Sequence, residues 1–465
     1  MGLEKEKMLD LYTLEQRLER QLKELEAGDN SNQEVKNKRP KIQRVPPYME
    51  GMGLKKYFNP KLISFGLFHH GQYDTIVGEQ YKFMWTAMYL KDANQSHLDL
   101  YDKINSHYSE MNDSFRIDDG TSYHRQNIVS ICMLDGCSIL HVLDKSDNFD
   151  DAEKELKVSV EQLVRVHQDM LLLENQIPFQ VLKIICNDNR EKLDKFLENF
   201  LKVHDVHTTM EERQMLVSPS TRAGWHVSID VILHDEEERK GDPTHLLDYL
   251  HRAMLIKERS GGGDSNGESQ HKQRSLHLRK YRIGSIRELK DAGIGVEKHP
   301  NNTSFHPRFI DGKLRLPELT VDGSTALILL NLAAYEMCPD FSNDFQISSY
   351  VVFLSSLIDQ PEDVKELRSA NILINELSSD KEVSDLFNRM DALLVPETSR
   401  YAKIRDKIRH HIESNRAQIK MLGWKGEAYN TFCRSPWTII GLLAATLALI
   451  LTFIQTWFAI NPKHS

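Results

Sequence analysis

Apolar positions recur at helical spacing along most of this 465-residue chain. In residues 3–26, Leu11, Leu14, Leu18, Leu22 and Leu25 fall three or four apart, which predicts an amphipathic helix. Its stripe runs about two heptads, the length of a short coiled coil or of a helix docked on the protein's own body. The pattern divides the chain into this N-terminal helix (1–27), a polar linker (28–44), a mainly helical body (45–436), an apolar segment (437–460) and a short tail (461–465).

Within the body, "DAEKELKVSVEQLVRVHQDMLLLENQIPFQVLKIIC" predicts two helical pieces joined near Pro178, where proline removes a backbone donor and restrains Ile177. Glu174, Asn175 and Gln176 interrupt an apolar run there and read as side chains that satisfy the freed backbone groups. "DPTHLLDYLHRAML" predicts a helix with Asp242 as N-cap and Pro243 at its first position. Residues 258–275 are Gly/Ser-rich and polar, and read as a disordered insertion. In "SFHPRFIDGKLRLPELTV", Asp311-Gly312 signals a type I′ turn and a small β-hairpin. "DGSTALILLNLAAYEM" predicts a buried helix capped near Asp322 or Ser324. "SSYVVFLSSLID" and "PEDVKELRSANILINEL" predict two more, and a basic, polar helix follows from about 400.

Residues 437–460 carry no charge. As a helix these 24 residues span about 36 Å, enough to cross a hydrocarbon core of about 30 Å. Trp437, Trp457 and Phe458 stand near its ends, as interfacial aromatics do. Gly441/Ala445 and Ala444/Ala448 are small-residue pairs able to seat a partner helix. Arg416, Lys420, Lys425 and Arg434 precede the segment and Lys463 follows it, so the positive-inside rule predicts a cytosolic body and a tail-anchored arrangement. The N-terminus has no basic start followed by an apolar core, so no signal peptide is expected, and Glu6 breaks the myristoylation pattern after Gly2. Asn94, Asn112 and Asn301 head glycosylation sequons, which matter only for a lumenal body.

A net charge of −9 argues against general nucleic-acid binding. Five cysteines without a CxxC fit a reducing compartment. No P-loop, GxGxxG, GxSxG, HExxH or zinc-spaced set occurs, so no catalytic residue, cofactor or metal site is predicted. His204 and His207 lie three apart on a predicted helix without a third ligand, and the acidic run 235–238 reads as a solvated face. "GLFHHGQ" (66–72) places His69 and His70 between Gly66 and Gly71, where glycine permits the positive φ of a turn. The histidines read as hydrogen-bonding members of that turn, with metal binding as the other reading.

Several of these strings together resemble a plant family, domain of unknown function 247. "VPPYM…YFNPKLISFGLFHHG" is similar to its opening motif, "MLDGCSIL" to its DGC element, and "DMLLLENQIPFQVL" to its most distinctive string. "HLLDYLH", "SIRELKDAGIGVEK", "LRLPELTVDGSTALILLNLAAYE", "YVVFLSSLID", "ILINELSSDKEVSDLFN" and the apolar C-terminal segment follow in the same order. Leu67-Phe68 stands where the family has Pro-Tyr, and Ser138 where it has an apolar residue. The resemblance implies a mainly α protein: a large helical domain with a small β-hairpin and one C-terminal transmembrane helix, with no established enzymatic activity. It further implies a role that some grass members have, as pollen-side self-incompatibility determinants acting with small secreted stigma proteins.

The expected function is therefore a non-enzymatic, membrane-anchored recognition or signalling protein at the plasma membrane or an endomembrane. Its expected partners are the bilayer through 437–460 and other proteins: secreted stigma proteins, a second family member, or another copy of itself. A cytosol-facing scaffold or stress-linked interaction protein is the alternative. A third reading is an enzyme using His69, His70 and Glu174.

Overall fold

The computed structural model describes residues 41–72, 75–117, 124–146, 149–204, 242–254, 283–299, 307–341, 345–397, 400–414 and 436–460. The N-terminal helix, residues 28–40 of the linker, His207, the acidic run 235–238, the insertion 258–275, Asn301, the basic residues 416–434 and the tail lie outside them.

The body is built on one apolar helix. α1 (Ile76–Asp92), α2 (His97–Ser106) and α3 (Tyr108–Asp113) lead into α4 (Arg125–Lys145). α4 is long and apolar enough to cross a membrane by composition alone, yet 72% of its apolar window is buried in the body. Such a helix, apolar nearly all round, belongs at the centre of a packed domain. α5 (Phe149–Leu156), α6 (Val160–Asp169), α7 (Phe179–Ile185) and α8 (Arg190–Val203) follow, and α1, α2, α7 and α8 all pack on α4. Gly136 makes the α7 contact close: a Cβ there would sit 2.4 Å from Ile185 Cδ1.

The expected pair of helices around Pro178 is thus three, α5 to α7, with residues 170–178 forming an irregular buried turn between the last two. The apolar run drives burial whether or not it is helical, and periodicity does not separate the two in so short a stretch. α9 (Leu246–Met254) starts later than Asp242 predicts. His245 Nδ1 accepts from the Asp248 N–H at 3.1 Å and the Asp248 carboxylate accepts from the Thr244 N–H at 2.7 Å, so these two residues close the helix start. Asp242 instead pairs with Lys183, 2.8 Å away.

The second half opens with α10 (Ile286–Asp291), started by a reciprocal capping box between Ser285 and Glu288. β1 (Gly295–Lys298) pairs in parallel with β3 (Lys313–Leu316), which pairs antiparallel with β2 (Arg308–Ile310). β2 and β3 are the expected hairpin. Asp311 and Gly312 have φ of 52° and 74°, the two positive values a type I′ turn requires. β4 (Leu319–Val321) follows, and the Asp322 carboxylate then accepts from the Ser324 and Thr325 N–H groups at 2.9 and 2.8 Å, starting α11 (Thr325–Glu336). All twelve residues of α11 are buried, as its largely apolar composition predicts, the polar Asn331 and Glu336 included.

α12 (Gln346–Leu357) packs on α11, α14 (Asp380–Asp391) packs on α12 and on α13 (Pro361–Ser369), and α15 (Ala402–Ser414) packs on β2. "PEDVKELRSANILINEL" is not one helix. Asn371 at φ 54° ends α13, and β5 (Leu373–Asn375) pairs in parallel with β4. The β-branched Ile372 and Ile374 suit a strand once a partner edge is available. α16 (Pro436–Ile460) is a 25-residue helix.

Candidate functional site

The irregular turn 170–178 sets the geometry of the region that the sequence singles out. Its backbone groups are buried outside any helix or strand, so each needs a partner. Side chains supply them. Gln176 Nε2 donates to the carbonyls of Met170 (2.7 Å) and Leu172 (2.8 Å), and its Oε1 accepts from the Leu247 N–H on α9. Asn331 on α11 accepts from the Leu173 N–H at 2.9 Å and donates to the Tyr57 carbonyl at 2.8 Å. Asn175 Nδ2 donates to the Ile63 and Asp169 carbonyls, and its Oδ1 accepts from the Phe65 N–H at 2.6 Å.

The same turn holds the segment that leads to the histidines. Asp169, at the end of α6, accepts from the backbone N–H groups of Lys61 (2.9 Å), Leu62 (2.8 Å) and Ile63 (2.9 Å). Burial raises its carboxyl to about 6 against the pull of those donors, which leaves it ionised at neutral pH. Gly66 donates to Asp135 at 2.7 Å and has φ of 69°; a Cβ there would stand 2.2 Å from the Gln176 carbonyl oxygen. Only glycine fits that crossing. Asp135, from the DGC string of α4, also takes a 2.7 Å ion pair from Lys82 on α1, and both side chains are fully buried. Burial works against the Lys82 ammonium, but the carboxylates of Asp135 and Glu79 outweigh it and hold the lysine above its ordinary range.

His69 and His70 occupy the turn that Gly66 and Gly71 predict, closed by the Gln72 N–H on the His69 carbonyl at 3.3 Å. They point to different surroundings. His69 is buried, with Nδ1 3.3 Å from Gln72 Oε1 and Nε2 3.3 Å from Glu174 Oε2 in an ion-pair geometry off the hydrogen-bond line. Glu174 also accepts from the Val45 N–H at 2.7 Å and pairs with Arg44 at 3.3 Å. His70 is exposed. The structure therefore brings His69 and Glu174 together and leaves His70 out. Asn175 and Gln176 satisfy carbonyls of the interrupted segment, as the sequence predicts, and Glu174, Asn175 and Gln176 also bond backbone groups far away in the chain, which it does not. Among the described residues, no group of three or more His, Cys, Asp or Glu side chains is arranged to hold a metal. The four described cysteines are buried and free.

Sequence reasoning passed over a second buried polar set. Glu336, at the end of α11, accepts from the Ile347 and Ser348 N–H groups at 2.8 and 2.9 Å, which neutralises the start of α12. His251 Nε2 donates to the same carboxylate at 3.0 Å, and Asp248 holds Arg252 through both of its oxygens. "HLLDYLH" carries the signal for this set, because His245, Asp248 and His251 share one helix face.

His204 follows the last residue of α8 instead of lying within a helix. It stacks edge-on against Phe200 and His167, with ring centroids 4.7 and 5.9 Å away. Its Nε2 meets no hydrogen-bond partner among the described residues. Burial, reinforced by His167, pushes its imidazole well below the histidine range, and burial takes His167 down to about 4. The unfolded chain binds both protons near pH 6.5. Stability from these neutral rings is thus complete above about pH 6.5 and is lost as pH falls toward their folded values. Asp169, raised by burial, works in the opposite sense over part of that window. A comparison with His204→Leu cancels that common contribution. The urea midpoint of the variant is expected to fall less than that of the wild type between pH 7 and pH 5, and parallel profiles would refute a neutral buried His204.

Comparison with known proteins matches the profile of a plant protein family of unknown function, domain of unknown function 247, over residues 42–451. The chain belongs to this family. It is 26% identical to UPF0481 protein At3g47200 of Arabidopsis thaliana over 452 residues, covering 90% of this chain and 86% of that protein. It is 27% identical to putative UPF0481 protein At3g02645 of the same plant over 176 residues, 37% of this chain and 32% of that one. No solved structure matches. Three of the family strings fall on this buried clamp: the opening motif is the held segment, the DGC element supplies Asp135, and the LLLENQIPF string is the holding turn.

Proposed function

We propose that this member of the family is a non-enzymatic, membrane-anchored recognition protein, with α16 as its single-pass anchor and the helical body facing the cytosol. The observation that carries this reading is the surface of α16. Leu443, Leu447, Leu449 and Phe453 are each more than 60% exposed, and Ile440, Ile450, Leu451 and Trp457 more than half. Burying an aliphatic or aromatic side chain of this size gains roughly 1.5–3 kcal/mol, so eight left in water would cost on the order of 10 kcal/mol. The helix is about 37 Å long, sufficient for a bilayer core of about 30 Å. Its threonine hydroxyls are satisfied from within: Thr452 donates to the Ala448 carbonyl and Thr456 to the Thr452 carbonyl, both at 2.7 Å. The basic residues before the segment favour a cytosolic body. Against catalysis by His69 and Glu174 stands their commitment to each other and to backbone groups in a buried clamp. A pollen-side self-incompatibility role is the particular form of recognition that the family resemblance suggests.

Alkaline carbonate extraction of plant microsomes tests the anchor. The full chain is expected to stay in the pellet, and a chain ending at Arg434 to move to the supernatant. Release of the full chain would overturn the reading.

A further inference from the structure

α1 is apolar on two opposite sides. One side carries Trp85, Thr86, Tyr89 and the ion-paired Lys82, all buried. The other faces outward. There Ile76, Val77 and Phe83 are 54%, 49% and 66% exposed, and Met84 and Met88 are half-buried. The bare face continues onto α6, where Val160 and Val164 are 45% and 41% exposed. Gln162 of α6 ties the two helices by donating to the Tyr81 hydroxyl at 3.1 Å. A surface helix ordinarily presents charged and polar residues on this side.

We infer that this face is the docking site of the chain's own N-terminal segment, through Leu11, Leu14, Leu18, Leu22 and Leu25. Three observations favour that occupant. The leucines recur at helical spacing from Leu11 to Leu25, about 21 Å of helix, and the outward face from the exposed Ile76 to the half-buried Met88 covers about 18 Å. The described chain also begins at the end of the body where α1 begins. Arg44 and Val45 are bonded to Glu174, Glu174 touches His69, and α1 starts seven residues later. The fifteen residues 26–40 reach up to about 50 Å when extended, so the tether does not limit docking. Finally, a two-heptad stripe is too short to hold a separate chain firmly, whereas a tethered one acts at millimolar effective concentration. A methionine- and phenylalanine-lined face adapts to such a stripe.

The test places the photo-crosslinker p-benzoylphenylalanine at position 83 of the full chain in detergent micelles, with peptide mapping of the products. Because position 83 is exposed, the substitution leaves the packed body untouched. The expected product is a crosslink within one chain to a peptide from residues 8–26, reduced at least tenfold by L14S/L18S/L22S in a variant that still unfolds cooperatively. A crosslink to a second copy, to detergent alone, or to no peptide of the N-terminal segment would overturn the inference.

Discussion

Asp169→Ala is expected to destabilise the body by about 3–5 kcal/mol. The substitution removes the acceptor of three backbone N–H groups, those of Lys61, Leu62 and Ile63. A buried donor left without a partner costs about 1–3 kcal/mol, less where water reaches it, as at Lys61 and Leu62. Against a typical domain stability of about 5–15 kcal/mol that loss is severe. Asp169→Asn discriminates the cause. Leu62 and Ile63 share one carboxylate oxygen and Lys61 uses the other. An amide keeps the shared acceptor and turns an NH₂ toward the Lys61 N–H, so its cost should fall between wild type and alanine. Urea unfolding of the full chain in detergent reads all three proteins. An alanine variant within about 1 kcal/mol of wild type would mean that the clamp does not hold the histidine segment.

The Lys82–Asp135 pair should give the second large effect. Removing one member of a buried ion pair leaves the other charged and unsolvated, at a cost of about 3–5 kcal/mol. Lys82→Met therefore destabilises strongly, because Asp135 keeps only the Gly66 N–H and Glu79 loses its 2.9 Å contact with the lysine. Asp135→Asn, which retains an oxygen for Gly66, turns its NH₂ toward the ammonium and leaves Lys82 with Glu79 as its one charged partner. The double variant is neutral and keeps that acceptor, so it should be more stable than the sum of the two losses by about 2 kcal/mol or more. Additive losses in the double-mutant cycle would show that the pair is not coupled.

These residues also mark how far the sequence could be read. Asp311-Gly312 forced the hairpin, because two consecutive positive φ values admit few other residue pairs. α11 was legible because a helix with apolar residues on nearly every side has nowhere to go but the core. The glycines around the histidine pair announced a turn for the same local reason. Turn 170–178 was not legible as a turn. Its leucines fit a helix as well as a loop, and what selects the loop is a set of partners more than a hundred residues away, Asn331 and the 61–65 backbone. β5 was read as helix for a related reason: it becomes a strand only because β4 offers it an edge. The clamp itself was half visible. Glu174, Asn175 and Gln176 stand out as polar residues in an apolar run, whereas only the distant backbone partners of Asp169 and Asp135 mark those two carboxylates.

The body is held by a buried clamp, and the exposed apolar helix α16 is the part we propose as its membrane anchor. Protease protection of the N-terminally tagged full chain in sealed vesicles tests that arrangement most directly, read together with the glycan state of Asn94, which is exposed at the end of α1, and of Asn112. Digestion of the body from the cytosolic side, with both asparagines unmodified, is the predicted result. A protected body bearing glycans would place it across the membrane and contradict the account.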